Sequence, residues 1–180
     1  MAGMHAVPPE PCLPPETPRL RLRVFTPADA PFIVELLNSE GWLRFIGDRQ
    51  VHTLAQAQAY LRDGPIAMQA QHGFALWAVQ RHEEDAAIGM CGLIRRDGLA
   101  DVDIGYAFLP RHSGRGYARE AAAATLRHGF NALGLKRIVA ITRPDNAASV
   151  RVLTHIGMRF DRVVHLPGHA QSSLLFAALA

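Results

Sequence analysis

Apolar and polar residues alternate from Arg19 to Val24, and apolar Phe25 follows, which predicts a half-buried β-strand over Arg19–Phe25 at the start of the folded region. Thr26-Pro27-Ala28-Asp29 then provides an N-cap, a proline at the first helical position and an acidic residue, so a helix should begin there. Thr53 and Gln56 form a second capping box. The helix that they open is expected to end before Gly64-Pro65.

The rest of the chain predicts strands and helices that together give a single mixed sheet. Strands are predicted over Phe74–Gln80, Ala86–Arg95, Asp101–Leu109, Arg137–Thr142, Met158–Leu166 and Ser172–Ala178. Helices are predicted over Gly116–Leu133 and Asp145–Ile156, and a glycine follows each. The resulting order, β-α-α-β-β-β-α-β-α-β-β, is typical of an α/β domain whose sheet is covered by helices.

The first 18 residues differ from the remainder because they hold six of the 12 prolines and show no apolar periodicity. We therefore expect a flexible proline-rich tail over residues 1–18 and one domain over residues 19–180. No apolar run approaches the roughly 20 residues of a membrane span, and the N-terminus does not resemble a secretory signal. With only two cysteines, the chain is expected to be cytoplasmic.

Charge is distributed unevenly along the chain. Residues 1–109 carry a formal charge of −4 and residues 110–180 carry +7. A basic C-terminal part favours an anionic ligand, either nucleic acid or a phosphorylated cofactor, although a solvated arginine surface would give the same count. Nucleic acid is the less favoured ligand, because the chain lacks a reader motif with interleaved aromatic residues.

A glycine-containing loop, Arg111-His112-Ser113-Gly114-Arg115-Gly116, connects a predicted strand to a predicted helix. Free amides at a helix start bind anions, and glycines let the backbone curl around phosphate oxygens. A dinucleotide-binding loop would have a third glycine where Arg119 stands, and a Walker loop would have Gly-Lys-Ser/Thr. An ordinary glycine-rich turn remains open from these residues alone.

Two other kinds of chemistry are disfavoured by the sequence. Cys91 has no adjacent base and is expected to be a small buried residue, which argues against a covalent acyl-enzyme. The nine histidines have no metal-site spacing, so no metal is expected.

Several motifs in a fixed order carry a family resemblance. The Arg-x-x-Gly-x-Gly loop is followed by Asn146-x-x-Ser149 and by Ile156-Gly157-Met158, and Asp103-Ile-Gly-Tyr106 precedes it. The chain resembles the GNAT superfamily of N-acetyltransferases over about residues 19–166, in particular the ribosomal-protein-alanine N-acetyltransferase subgroup. The resemblance implies a mostly antiparallel sheet whose fourth and fifth strands splay apart, with helices on both faces.

The resemblance also implies acetyl-CoA as co-substrate, with pantetheine in the splay near Phe108 and the pyrophosphate on Ser113 to Ala118. The cofactor-binding residues that it implies are Phe108, Arg111, Ser113, Gly114, Arg115, Gly116, Tyr117, Ala118, Asn146 and Ser149.

Catalytic roles follow less directly. Ser149 is expected to approach the cofactor sulfur, and Asp103 is the candidate for orienting or deprotonating the amine. Many family members have a tyrosine seven residues after the asparagine to protonate the leaving thiolate. Leu153 occupies that position here, so the sequence does not identify the general acid.

The predicted activity is acetyl transfer from acetyl-CoA to a primary amine, by direct attack in a ternary complex of a monomer or homodimer. We favour the α-amine of a protein N-terminus as acceptor. A small-molecule amine (antibiotic, polyamine or amino acid) and a non-catalytic acyl-CoA-binding protein are the alternatives. The acceptor walls are predicted in Asn38–His52, where Trp42 and Phe45 would bind substrate, and in His165–Gln171.

Overall fold

The computed structural model describes residues 12–180, which form one seven-stranded sheet and six α-helices. The strands are Leu20–Arg23 (β1), Leu76–Arg81 (β2), Ala87–Ile94 (β3), Val102–Phe108 (β4), Arg137–Thr142 (β5), Arg159–Val164 (β6) and Ser173–Leu179 (β7). The helices are Ala30–Leu37 (α1), Glu40–Phe45 (α2), Leu54–Leu61 (α3), Ala67–His72 (α4), Tyr117–Asn131 (α5) and Ala147–His155 (α6). None of the helices within residues 12–180 has the length and apolar character needed to cross a membrane.

The sheet has the strand order β1-β2-β3-β4-β5-β7-β6. Its neighbouring strands are antiparallel except for β4 and β5, which run parallel. These two strands pair only at Val102–Ile138 and Asp103–Val139. Beyond Asp103 they separate, and the edge of β4 from Ile104 to Phe108 faces β5 without pairing to it. The predicted mixed sheet with a splay between its fourth and fifth strands is confirmed.

Helices cover both faces of the sheet because successive strand residues point to opposite sides. Trp77 and Ala78 on β2 are both fully buried, yet they belong to different apolar clusters. The cluster of Trp77 includes Leu126 from α5 and Leu153 from α6. The cluster of Ala78 includes Ile33 from α1 and further side chains of α3.

The capping box that was predicted for α3 is confirmed. The Gln56 amide donates to Thr53 Oγ1 at 3.2 Å, and the Thr53 amide donates to Gln56 Oε1 at 3.1 Å. These two bonds satisfy amides that a helix start otherwise leaves without acceptors.

The α-helix ends at Leu61, before Gly64-Pro65 as predicted, but the helical path does not stop there. A π-helical turn, Arg62–Ile66, follows α3 directly and continues into α4, with Pro65 buried inside it. The wider turn accommodates a proline ring that would disrupt regular α-helical bonding. The helical path ends at Gly73, which has a left-handed conformation (φ 76°).

The N-terminal residues that the structure describes contact the domain before β1 begins. Glu16 forms an isolated bridge with Arg21, and Thr17 Oγ1 donates to Glu120 Oε1 at 2.6 Å. Residues 1–11 of the predicted tail lie outside the described residues.

Candidate active site

A cavity of about 1130 Å³ opens where β4 and β5 separate. Residues of β4, β5 and the starts of α5 and α6 line one side of it. Both predicted wall segments also line it, the first through Trp42 and Phe45 and the second through His169 and Gln171. Part of the first segment is helical: α2 was not predicted, and Trp42 is its most deeply buried residue.

The loop before α5 presents free amides. Gly114 and Gly116 both have left-handed backbone conformations (φ 74° and 79°), which side chains disfavour. Within residues 12–180, no backbone acceptor receives the amides of residues 114–116. The first amides of α5 also lack acceptors inside the helix, and the helix dipole gives this end a positive potential. Ser113 and Ala118 line the cavity, so the loop can bind an anion at its edge.

Arg19, the residue before β1, holds this loop in place. Its Nε is 2.6 Å from Glu120 Oε2, and its Nη1 donates to the backbone oxygen of Arg115 at 3.0 Å. Its guanidinium also lies 4.7 Å from the centre of the Tyr117 ring, which is buried. The side chain of Tyr117 is therefore a packing element, and only its backbone amide is available to an anion.

The two arginines of the loop, Arg111 and Arg115, do not line the large cavity. Arg111 forms an ion pair with Glu35 of α1 and lines a second pocket of about 340 Å³. The Arg115 side chain is exposed and, like Arg111, is not among the residues that line the large cavity. Their predicted contacts with the cofactor remain predictions, and for Arg111 such a contact requires breaking the pair with Glu35.

The start of α6 brings three polar groups together. Asn146 caps the helix by accepting the Ser149 amide at 3.1 Å through Oδ1, which leaves its side-chain amide free. Ser149 Oγ lies 3.0 Å from the Tyr106 hydroxyl, and burial raises the pKa of that phenol far above its ordinary value. Both residues line the cavity, as does Leu153. The sequence placed Ser149 at the site but gave no separate role to Tyr106.

Asp103 lies where β4 and β5 begin to separate. Its side chain is 1% exposed, and Arg96 Nε donates to its Oδ2 at 2.7 Å. Burial raises the pKa of Asp103 to about 6, and the nearby positive charge of Arg96 limits that rise. The backbone amide of Ile141 also helps to lower the pKa, although no group within residues 12–180 forms a hydrogen bond with Asp103 Oδ1. Asp103 lines the cavity. A buried carboxylate with one free oxygen is suited to accept a proton near neutral pH.

Cys91 lies away from this cavity in the apolar core. Its Sγ is 3.4 Å from Thr125 Oγ1, and burial raises the pKa of the thiol to about 12. A protonated, inaccessible thiol is a poor nucleophile. Residues 12–180 contain no group of three or more potential metal ligands.

Phe108 completes the wall beside the splay. It pairs with Gly89 of β3, where an added Cβ would come within 2.4 Å of the Phe108 ring. Glycine at position 89 therefore lets this ring lie flat against the sheet and leaves the other edge of β4 open.

Comparison with known proteins relates this geometry to a family. Residues 19–159 match the acetyltransferase (GNAT) domain model. The chain is 32% identical over 153 residues to the uncharacterized N-acetyltransferase YoaA of Bacillus subtilis, covering 83% of this chain and 84% of YoaA. Its fold matches the crystal structure of a GNAT-family acetyltransferase from Bacillus anthracis, with a TM-score of 0.75 and 26% identity over 91% of this chain and 96% of that one.

A third likeness concerns the fold alone. RimL, a ribosomal L7/L12 alpha-N-protein acetyltransferase solved in complex with coenzyme A, has a TM-score of 0.77 at 19% identity and covers 93% of this chain and 97% of its own. The family model spans most of the chain and both sides of the splayed sheet. This chain therefore belongs to the GNAT family of acetyl-CoA-dependent N-acetyltransferases.

Proposed function

We propose that the protein acetylates the α-amino group of a protein or peptide by direct attack within a ternary complex. The observation that carries this proposal is the position of Asp103, a buried carboxylate with a free oxygen, in the cavity that also contains Ser149. A base and a hydroxyl on two sides of one cavity are what transfer of an acyl group to an amine requires.

The residues around the splay are compatible with acetyl-CoA. Free amides at residues 114–116 and at the start of α5 suit a diphosphate, and the unpaired edge of β4 up to Phe108 suits the amides of pantetheine. The free side-chain amide of Asn146 adds a further donor. When bound, acetyl-CoA supplies the acetyl group as a thioester.

Two groups in the cavity transfer protons, one as an acceptor and one as a donor. Asp103 Oδ1 accepts a proton from the incoming ammonium, directly or through water, and so makes the amine nucleophilic. Ser149 Oγ would give a proton to the leaving sulfur and take one back from the reacting nitrogen, so that the hydroxyl is restored. The Tyr106 hydroxyl orients it through their 3.0 Å hydrogen bond. This arrangement assigns to Ser149 the role that a tyrosine at the position of Leu153 has in many relatives. The buried thiol of Cys91 takes no part.

An α-amine is the favoured acceptor for a physical reason. Its free pKa of about 7.7–8.0 lies well below the roughly 10.4 of a lysine amine, so less deprotonation is required near neutral pH. A carboxylate whose pKa is about 6 is a weak base and is better matched to the α-amine. That RimL is named as an α-N-protein acetyltransferase is consistent with this choice. A small-molecule amine is the alternative acceptor, and a non-catalytic acyl-CoA-binding protein is the alternative function.

The test compares binding with transfer. Acetyl-CoA at about a hundred times its Kd adds about 2.7 kcal/mol to the free energy of unfolding and should raise the Tm by about 5–10 °C. Pantetheine without phosphates should raise it much less. Transfer is then measured as kcat/KM on short peptides with free N-termini, on the same peptides blocked but carrying lysine, and on small amines.

Three outcomes are distinguished by this comparison. Preference for free N-termini supports the proposal, and a hundredfold preference for a small amine would replace the acceptor while retaining the activity. A Tm shift without transfer to any amine would indicate the non-catalytic alternative. The cytoplasmic location and the monomeric or homodimeric state stay predictions.

A further inference from the structure

The acceptor side of the cavity contains a group of basic and polar side chains from distant parts of the chain. Arg49 follows α2, Tyr60 lies on α3, Arg96 follows β3 and His169 precedes β7, and all four line the cavity. Burial raises the pKa of the Tyr60 phenol, and the positive charges of Arg49 and Arg96 partly oppose this rise. Burial and the same two arginines lower the pKa of His169. The positive potential of both arginines therefore extends over this side.

Arg49 differs from the other arginines of the cavity in having no carboxylate partner. Arg96 pairs with Asp103 at 2.7 Å, Arg143 pairs with Asp145 at 3.0 Å, and Arg44 lies 3.9 Å from the same Asp145. Within residues 12–180, Arg49 forms neither an ion pair nor a side-chain hydrogen bond. An arginine on a cavity wall with all of its donors free is suited to bind a carboxylate.

The acidic residues of the same wall form no ion pair with Arg49 within residues 12–180. Asp48 accepts two hydrogen bonds from Gln50, at 2.7 and 2.8 Å, and lies 3.6 Å from His52 Nε2. Glu40 is in the first turn of α2, where a carboxylate is stabilised by the helix dipole.

Two buried polar atoms of the cavity residues lack partners and have opposite roles. The indole N–H of Trp42, a residue that is 6% exposed, has no acceptor within residues 12–180. Asp103 Oδ1 has no donor. Leaving such atoms unpaired costs about 1–3 kcal/mol each. Both atoms are buried, so a ligand that supplies one donor and one acceptor oxygen gains from both when a small movement of the cavity wall exposes them.

We infer that the acceptor amine carries a carboxylate close to its nitrogen, with the ammonium held by Asp103, a neighbouring oxygen by Trp42 and the carboxylate by Arg49. This inference rests on the proposed acetyl transfer and specifies its substrate class. Two sources supply the same chemistry: a peptide whose first residues include an acidic side chain, and a free amino acid. A polyamine lacks the carboxylate and places further positive charge beside Arg49 and Arg96, so it is disfavoured.

The experiment uses matched acceptors on the full-length protein. The peptides Ala-Glu-Ala-amide and Ala-Gln-Ala-amide differ only in one carboxylate, and an amino acid is paired with its amide in the same way. Spermidine provides the polycationic comparison. We expect kcat/KM to be about tenfold higher for the acidic peptide than for the neutral one, through a lower KM. A tenfold difference is what one partly exposed hydrogen bond between charged groups contributes. The relative rates of the acidic peptide and the free amino acid identify the source.

Substitutions then test the assigned residue. Arg49→Gln should reduce the tenfold preference to about one, because it raises KM for the acidic peptide to that of the neutral peptide. Arg127 is an exposed arginine of α5 that does not line the cavity. Arg127→Gln is therefore the control, and it should leave kcat/KM unchanged for both peptides. Trp42→Phe keeps the aromatic packing and removes the N–H, so it should raise KM for all α-amino carbonyl acceptors, with Tm measured to verify folding.

The failure of this inference is distinguishable from failure of the proposed function. Equal rates on acidic and neutral peptides, preference for spermidine, or an equal effect of Arg49→Gln on both peptides would overturn the carboxylate inference while acetyl transfer stands. Absence of transfer to every acceptor, despite a Tm shift with acetyl-CoA, would overturn the proposed function itself.

Discussion

Asp103 shows how a single residue can be unfavourable for folding and useful for chemistry. Burial makes its charged form costly, and Arg96 compensates for only one of its two oxygens. The remaining oxygen is buried and has no hydrogen-bond partner within residues 12–180. Such an arrangement is typical of groups that must exchange protons near neutral pH.

The activity should therefore depend on the ionisation of Asp103. We expect kcat/KM to fall as pH falls through about 6, where the carboxylate becomes protonated. Asp103→Asn should lower kcat by about 10²–10⁴-fold, which is the usual contribution of a general base, and should remove this acidic limb of the pH profile. A change of less than threefold across the pH range would refute the assignment.

The same substitution makes a separate prediction for stability. The pKa of Asp103 is raised from 3.8 to about 6 on folding, so its contribution to stability decreases as pH rises from about 4 to about 6. Asparagine removes that charge and can still accept a hydrogen bond from Arg96, whose side chain is 25% exposed. We expect Asp103→Asn to melt no lower than the wild type at pH 8, which would separate a catalytic loss from unfolding.

Tyr106 and Ser149 provide another test at the level of residues. Ser149→Ala removes the proposed proton donor and should lower kcat more than it raises KM. Tyr106→Phe removes only the hydroxyl that orients Ser149, so we expect a smaller loss of about tenfold in kcat, with KM for acetyl-CoA unchanged. Leu153→Met alters packing alone and is the control. If it lowered kcat as much as Tyr106→Phe does, this division of roles would be contradicted.

The sequence indicates some of these residues and not others for a clear reason. Asn146 and Ser149 are three residues apart at a helix start, so local spacing is enough to place them together. The contact of Tyr106 with Ser149 depends on how β4 and α6 pack. Likewise, the roles of Arg96 and Arg49 depend on which distant carboxylates are near, and no local pattern encodes that.

At the scale of elements, caps are predicted well and irregular turns are not. Thr53 and Gln56 identify the start of α3 because capping is a local hydrogen-bond pattern. The π-helical turn around Pro65 contradicts the usual preference of proline to end a helix. The six-residue helix α2 is too short to show an apolar period, although it positions Trp42.

The attachment of β1 to the start of α5 gives a prediction about cofactor affinity. Arg19→Gln removes an ion pair, a bond to the Arg115 backbone and the contact with the Tyr117 ring. Together these contribute about 1–2 kcal/mol to loop order, so the Kd for acetyl-CoA should rise about fivefold to thirtyfold. Arg21→Gln is the matched control, because Arg21, two residues further along the chain, pairs with exposed Glu16 instead. Equal Kd values for the two variants, measured by calorimetry, would refute the role of Arg19.

At the scale of the whole molecule, the candidate site is shared between two parts of the sheet. Asp103, Tyr106 and the loop before α5 belong to the part that ends with β4, whereas Asn146 and Ser149 follow β5. Only two residue pairs join these parts along the ladder. Below the splay, side chains such as Leu93 and Ile138 connect them within one apolar cluster.

The short seam between β4 and β5 has a consequence for the protein in the cell. A ligand inserted there bridges the two parts of the sheet where backbone pairing is missing. It therefore stabilises the state in which the two parts are held together, and not a state in which they have separated. Local opening at the seam should become rarer as acetyl-CoA rises, and proteases act on such opened states. The turnover of this protein is then expected to follow the metabolic supply of its own acetyl donor, with shorter lifetimes in starved cells.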